Sequence, residues 1–286
     1  MRKIVQMSSK LKWLGLLGLP SLFSEGYLWK LLWLFWLFGL IELIFALPIM
    51  VQSLRQIVGI FICEYKNKPR PDKDNFIPKV KYSLPFKNSW VVLNGGVTKE
   101  FSHSWAVNSQ RYAYDFVMMD QKGNSHSGNF KNKHNYFCYD QEILAPADGM
   151  VVAVKNDCRD SRILGEGQTD PIIKDIRGNY IVIQHAENEY SCVAHLKPQS
   201  ILVTVGEKVE RKQLIALCGN TGNSSEPHLH FQLQNGKSFF NAAGLPIYFA
   251  AVERWQQPNY HFFDRRSTSE SSKFLIRGMG VRNKVQ

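Results

Sequence analysis

The chain has no C-x-x-C pair. Its five cysteines, Cys63, Cys138, Cys158, Cys192 and Cys218, are scattered through 286 residues. That excludes a cysteine-built structural zinc site and sets up no disulfide framework; which of them pair, if any, is not written in their spacing. Helix-turn-helix, zinc-finger and RNA-binding signatures are also missing. The formal charge of +11 therefore does not mark a nucleic-acid binder. An anionic membrane surface or an anionic polymer is left as the partner for that charge. At 44% hydrophobic the chain can bury a core, and its length suggests one or two domains.

Charge is nearly absent from residues 31–51, "LLWLFWLFGLIELIFALPIMV", where Glu42 stands alone. A run of that length crosses the ~30 Å hydrocarbon layer as a helix. Tyr27, Trp29, Trp33 and Trp36 gather toward one end, as interfacial aromatics do. The run exceeds the ~7–15 apolar residues of a signal-peptide core, and no A-x-A site follows it. A second apolar patch, "LKWLGLLGLPSLF", is short, is interrupted by Pro20 and suits the interface; "IVGIFICEY" either extends the anchor or lies on the surface. Lysines and arginines flank both sides of the span, so charge does not fix its orientation. These features predict a membrane-anchor region over residues 1–64.

Residues 65–84, "YKNKPRPDKDNFIPKVKYSL", are charged and proline-rich and read as a linker. Beyond it, strand-like pieces alternate with turns: "SWVVLNGG", "RYAYDFVMM", "EILAPADGMVVAV", "NYIVIQH", "SCVAHL", "SILVTVGEKV", "QLIALCGNTG" and "HLHFQLQ". No long amphipathic helix interrupts them. The pattern predicts one antiparallel all-β domain over residues 85–252. Residues 156–178 are polar and glycine-bearing, which marks a functional loop. In the extension 253–286, "STSESSK" reads as mobile and "FLIRGMGV" as a possible returning strand.

The stretch "GNTGNSSEPHLHFQLQ", residues 219–234, draws the most attention. Glycine, asparagine, serine and proline make its first half a loop. In its second half Leu229, Phe231 and Leu233 alternate with His228, His230, Gln232 and Gln234, so the two imidazoles share one strand face. They are either solvated surface groups or part of a site. A hydrolytic zinc centre needs three protein ligands and an open position for water. Asp115 and the eight histidines, His103, His126, His134, His185, His195, His228, His230 and His261, are the candidates. Asp115 sits on a strand face with Arg111 and Ala113, opposite Tyr112 and Tyr114. Alternation puts His195 with Ser191 and Val193, and His185 with Ile181 and Ile183 in a structural role.

Residues 94–249 carry "NSQRYAYDF", "EILAPADGMVVAV", "GNYIVIQH", "CVAHLKPQSILVTVGEKVERKQLIALCGNTGNSSEPHLHFQLQ" and "GLPIYF". Together these resemble the lysostaphin-type zinc metallopeptidases, peptidoglycan endopeptidases of the duplicated-hybrid-motif fold. "GNTGNSSEPHLHF" with "VAHL" in this order is the specific part of the likeness; "APADGMVVAV" and "VTVGEKV" also occur in biotin- and lipoyl-carrier barrels. The resemblance implies an antiparallel β-sandwich or barrel after the transmembrane helix at about 31–51. It implies His230 and Asp115 as zinc ligands, and His228 and His195 as the catalytic pair. The family's H-x-x-x-D motif wants a histidine where this chain has Arg111. His103 is the expected substitute, with His126 and His134 as alternatives.

What the resemblance implies is a membrane-anchored zinc endopeptidase with its domain on the outer face of a bacterial cytoplasmic membrane. His228 or His195 takes the proton of the attacking water and the other hydrogen-bonds the developing oxyanion. The cleaved bond stays open among a glycine cross-bridge, a stem-peptide cross-link and another peptide, and residues 156–178 are expected to border the groove. An inactive scaffold of the same fold, binding wall or activating another hydrolase, is the alternative. A biotinyl or lipoyl carrier is the third reading; it needs an accessible lysine, typically in a Met-Lys dipeptide, and no Met-Lys occurs.

Overall fold

A computed structural model describes residues 2–257 and 273–284. His261 and residues 267–272, which the sequence reads as mobile, lie outside the described residues. The chain opens with α1 (Arg2–Leu11) and a 3-10 segment (Lys12–Leu22). It then reverses into α2 (Tyr27–Leu32), a second 3-10 segment (Trp33–Leu37) and α3 (Phe38–Lys66). The first arm folds back on the second. Gly15 and Gly18 admit the rings of Trp36 and Trp33, and Trp33 Nε1 donates to Ser21 Oγ at 2.8 Å. Glu42, the one charge of the apolar run, is paired with Lys12 at 2.6 Å.

Residues Tyr27–Lys66 form a helical run of 40 residues that is long and apolar enough to cross a membrane. The apolar stretch of the sequence ends at Val51, but the helix does not. It stops only at Lys66, where Asn67 donates backbone and side-chain N–H groups to Cys63 O. Pro69 follows, and proline cannot continue a helix.

The remainder is antiparallel β-structure. Its strands among the described residues are β1 (Trp90–Gly95), β2 (Tyr114–Val117), β3 (Glu142–Leu144), β4 (Gly149–Lys155), β5 (Asn179–Ala186) and β6 (Glu189–Leu196), then β7 (Lys208–Val209), β8 (Leu214–Leu217), β9 (Leu229–Gln234), β10 (Gly244–Leu245), β11 (Val252–Gln256) and β12 (Met279–Asn283). One large sheet runs β11-β12-β1-β2-β9-β6-β5-β4-β7, with β10 on β9, and β3 pairs β8 in a separate ribbon. The end of "FLIRGMGV", Met279–Val281, does return as the start of a strand, β12, between β1 and β11.

Period-two patterning decides which face is which. Tyr114, Phe116, Leu229, Phe231, Leu233, Ile181, Ile183 and Val193 fill one core with Ile143 and Ile215 of the ribbon. Phe86 stacks on Trp90 and meets Phe116 edge-on, with centroids 4.7 and 5.0 Å apart. Tyr82, Leu84 and Phe86 lie in this core, so the chain is already part of the β-domain by residue 82. The face of β2 and β9 turned away from the core carries Asp115, His230, Gln232 and Gln234, all of them buried.

Two local readings change, and one that the sequence left open is decided. Residues 109–113 of "NSQRYAYDF" form turns rather than strand, so Arg111 does not share a strand face with Asp115. Its guanidinium is spent locally, on Trp105 O at 2.9 Å and Asn108 Oδ1 at 3.0 Å. Residues 201–205, part of the strand-like piece "SILVTVGEKV", form no named strand; Leu202 N–H reaches Ile215 O, at 2.9 Å, and the side chains of Leu202 and Val205 face solvent. All five cysteines are free and buried.

His185 is held apart from the other strand histidines. Its Nδ1 meets Asp148 O and its Nε2 meets Ser191 Oγ, each at 2.7 Å, so one nitrogen donates and the other accepts from the hydroxyl. Desolvation lowers its pKa to about 4, against the opposing pull of the Asp148 carbonyl. Below the ordinary histidine pKa of ~6.5 the unfolded chain takes a proton that the folded one refuses until about pH 4. Stability is therefore expected to fall as pH drops through this window. Thermal melts between pH 7 and 4.5 should show a slope that His185→Gln flattens; an unchanged slope would remove His185 from the acid response.

Candidate metal centre

Asp115 and His230 stand directly opposite each other in the β2–β9 ladder, and Ala194 of β6 stands opposite His230 on its other side. Cross-strand partners point the same way, so the pairing alone brings carboxylate and imidazole together. His230 Nδ1 lies 3.0 Å from Asp115 Oδ1. His103 arrives from the turns before β2 and sets its Nε2 3.1 Å from Asp115 Oδ2. Ser102 Oγ, next to it, donates to Arg111 O at 2.7 Å and so pins the turn carrying His103 to the approach of β2. Donor atoms of His103, Asp115 and His230 all lie within 4.8 Å of one another.

The other two predicted residues flank this trio. His228 Nε2 is 3.7 Å from Asp115 Oδ1, and the His195 ring centroid is 4.6 Å from that of His228 and 5.8 Å from that of His230. His195 does not get there by alternation, which would send it with Val193 into the core. The ladder between β5 and β6 shifts register beyond Ile181, and His195 takes a φ of 62°. A left-handed conformation at a non-glycine residue costs on the order of 1–3 kcal/mol. Here it swings the ring onto the Asp115 face, and the backbone N–H bonds Arg177 O at 2.9 Å.

Each imidazole is oriented by a second partner. His230 Nε2 meets Gln232 Oε1 at 3.0 Å; Nδ1–H donates to Asp115 when no metal is bound, and the Gln232 contact would keep the proton on Nε2 once Nδ1 turned its lone pair to a metal. His195 Nδ1 meets Thr221 O at 2.8 Å, and His228 Nδ1 meets Glu226 O at 2.8 Å, leaving both Nε2 atoms for the cleft. Thr221 holds this position because two glycines let its loop lie against the start of β5: a Cβ on Gly222 would fall 2.2 Å from Gly178 N, and both glycines have positive φ. That is the use of "GNTG". Gln232 shares the strand face of His228 and His230, so the two-residue spacing already pointed to it.

Electrostatics follow from burial. Desolvation alone would raise the Asp115 carboxyl, but the charge and hydrogen bond of His103, the hydrogen bond of His230 and the charge of His228 outweigh it and hold the group well below the usual carboxylate range. Desolvation, then the neighbouring imidazoles His228 and His230, push His195 well below the ordinary histidine value, so it is neutral at pH 7. Two nitrogens and a carboxylate suit zinc. Donor separations of 3.0 and 3.1 Å come close to the ~3.3 Å edge of a tetrahedron with ~2.0–2.1 Å bonds. His126 stacks on Tyr136 and His134 lies exposed beside Asp140, both outside the trio.

The trio opens into a cleft of about 430 Å³ that is also lined by Thr169, Ile176, Arg177 and Phe239. Residues 156–178 thus border the groove. So do Ile49, Ser53 and Gln56 of α3, which sequence patterning did not place there.

Residues 135–242 match the model of Peptidase family M23. Over 56 residues the chain is 50% identical to the peptidoglycan DD-endopeptidase ShyA of Vibrio cholerae, covering 20% of this chain and 13% of that one. Over 146 residues it is 32% identical to the murein hydrolase activator NlpD of Salmonella typhimurium, covering 51% of this chain and 33% of that one. The solved catalytic domain of lysostaphin from Staphylococcus simulans is 20% identical, with a TM-score of 0.32, over 55% of this chain and 88% of that one. The chain carries a lysostaphin-type M23 peptidase domain. It spans at most about a third of the length of the curated relatives it matches. The matched span includes His195, His228 and His230 but not His103 or Asp115.

Zinc titration with elemental analysis tests the ligand set. The full chain in detergent is expected to hold one zinc, and His103→Ala, Asp115→Ala and His230→Ala each to lose it. His126→Ala, His134→Ala and His228→Ala are expected to keep it. Gln232→Ala strands the His230 Nε2–H and is expected to weaken zinc about 10–100-fold. Full occupancy in His103→Ala would move the third ligand elsewhere.

Proposed function

We propose that the chain is a membrane-anchored zinc metallo-endopeptidase that hydrolyses peptide bonds of cell-wall peptidoglycan, its domain outside the cytoplasmic membrane. One observation carries this reading. The His103–Asp115–His230 donor trio and the two free Nε2 atoms of His195 and His228 share a single cleft. The peptidase family and the similarity to a peptidoglycan endopeptidase supply the substrate class.

His103 Nε2, His230 Nδ1 and the Asp115 carboxylate are the groups that would hold zinc. When bound, zinc supplies Lewis acidity toward a carbonyl and toward water. His195 and His228 do the proton work. Each has its Nδ1 proton fixed by a backbone carbonyl, so its Nε2 can accept a proton from water without changing tautomer. The imidazole that carries a proton then donates a hydrogen bond to the oxygen that gains charge. Thr221 and Glu226 carbonyls stabilise whichever ring becomes cationic.

The similarity to a murein hydrolase activator favours a second reading, an inactive wall-binding scaffold. Such a scaffold has no need of five converging metal-binding and proton-accepting groups. Mass spectrometry of muropeptides released from purified sacculi separates the two. Release is expected to stop with a chelator and to fall about 10²-fold or more in His228→Ala that retains zinc. Sacculi left intact by zinc-loaded protein would sustain the scaffold. The location has its own check: a reporter that works only after export, fused after Gln286, should be active, and a cytoplasmic signal would overturn the wall-hydrolase reading.

A further inference from the structure

Helix α3 has two faces, and the metal cleft uses one of them. Ile49, Gln52, Gln56, Gly59 and Cys63 recur at steps of three and four and turn toward the β-domain. Gln52 is buried there. Its Nε2 donates to Lys174 O at 2.9 Å, and its Oε1 accepts from Ile176 N–H at 3.0 Å, so the helix grips the 156–178 loop by its backbone. A Cβ on Gly59 would lie 2.0 Å from Phe240 O, which shows how closely helix and domain approach. Between these contacts Ile49, Ser53 and Gln56 line the same cleft as His103, His195 and His230. The helix is a wall of the metal cleft.

The opposite face is apolar and exposed. Leu47, Val51, Leu54, Val58, Phe61 and Tyr65 follow at alternating steps of four and three, and Phe61 and Tyr65 are 69% and 81% exposed. Met50 and Ile57 widen the stripe. A coiled-coil seam is narrower and is flanked by charged pairs, whereas Arg55 is the one charge between residues 45 and 63. The stripe also runs without a break into the apolar stretch that begins at Tyr27. A broad, nearly uncharged helical face continuous with a candidate span fits lipid better than a second copy. Length agrees. Forty helical residues at ~1.5 Å each reach about 60 Å, twice the ~30 Å hydrocarbon layer. Half of the run must lie outside a transverse span, and the half that carries the β-domain is residues 45–63. Pro48 stands at the junction, where it removes one helical hydrogen bond.

Beside the metal cleft, α3 and the 156–178 loop enclose a cavity of about 400 Å³. Ile44, Phe45, Pro48, Ile172 and Ile173 line it together with two cations, Arg159 and Lys174, and two carboxylates, Asp157 and Asp175. Apolar space and a peptide cleft thus lie side by side along one helix.

We propose that residues 45–65 of α3 lie along the membrane surface with their exposed stripe in lipid, and that the metal cleft behind them takes a peptide presented on a lipid anchor. The substrate part rests on the hydrolase reading above; the bilayer contact does not.

The test uses the full chain in vesicles of phosphatidylethanolamine and phosphatidylglycerol. The native cysteines are buried, so Leu54→Cys, Phe61→Cys and, on exposed β7, Lys208→Cys can each carry a fluorophore. Lipids with a quencher in the upper acyl chain are expected to quench positions 54 and 61 at least threefold more than 208. Equal quenching at all three overturns the bilayer contact, and so does an unquenched dimer, which gives the stripe to a second copy. In the same vesicles a muropeptide dimer coupled to a phospholipid is expected to be cut at least tenfold faster than the same dimer free in solution. Leu54→Lys with Phe61→Lys is expected to bring the tethered rate down to the free one. Equal rates in the unaltered chain overturn the substrate claim while hydrolysis itself stands. A zinc-loaded chain that cuts neither dimer overturns the hydrolase reading and the substrate claim together, and the quenching result then decides the bilayer contact alone.

Discussion

A carboxylate buried in the middle of a sheet is the constraint on which this molecule turns. Asp115 sits on β2 with β1 on one side and β9 on the other, where an unpaired charge would cost several kcal/mol. It is tolerated because register gives it a partner: His230 is its direct cross-strand neighbour, and His103 closes the other oxygen. A slip of one residue in β2 against β9 would turn Asp115 into the core and bring Tyr114 and Phe116 out to the polar face. The same alternation that excludes this slip builds the site. Gln232 and Gln234 extend the polar row along β9, each amide bonded to the next, so no polar group on that buried face is left without a partner.

Much of this was legible because it depends on period two. "HLHFQLQ" announces its two faces, and Asp115 is conspicuous between Tyr114 and Phe116. His195 was legible by resemblance but not by alternation, which places it with Val193 on the core side; only a backbone turn into the left-handed region brings it across. Such turns are set by tertiary contacts, here the bonds to Arg177 O and Thr221 O, and leave no mark in hydropathy. His103 is a similar case. Its approach is fixed by a run of turns in which Arg111 is tied to Trp105 and Asn108, and a run of turns carries no periodic signal. Segment 201–205 shows the converse, a run rich in β-branched residues that forms no named strand although Leu202 N–H meets Ile215 O.

The helix was half legible. Hydropathy falls at Gln52, and a reading based on a membrane span ends there. The steps of three and four that continue to Cys63 mark a helix with a domain-facing side, but they are hidden by an apolar stripe on the other side that follows the same spacing. Two interleaved patterns on one helix leave little contrast in a hydropathy profile. What separates them is chemistry: the domain-facing side carries Gln52, Gln56 and Gly59, residues suited to close backbone approach and hydrogen bonding, and the outer side carries branched aliphatics and aromatics.

The two halves of the molecule are joined by a short hydrogen-bonded path. Gln52 on α3 accepts from Ile176 N–H; Ile176 O accepts from Asn223 N–H; Arg177 O, one residue on, accepts from His195 N–H. Thr221, two residues before Asn223, accepts the His195 ring proton. A displacement of α3 therefore acts on both groups that hold His195 in its strained conformation, and, through the bond from Asn108 Nδ2 to Ile60 O at 3.2 Å, on the turns that carry His103. A loosened helix would thus be felt at both His195 and His103, while Asp115 and His230 stay paired in the β2–β9 ladder.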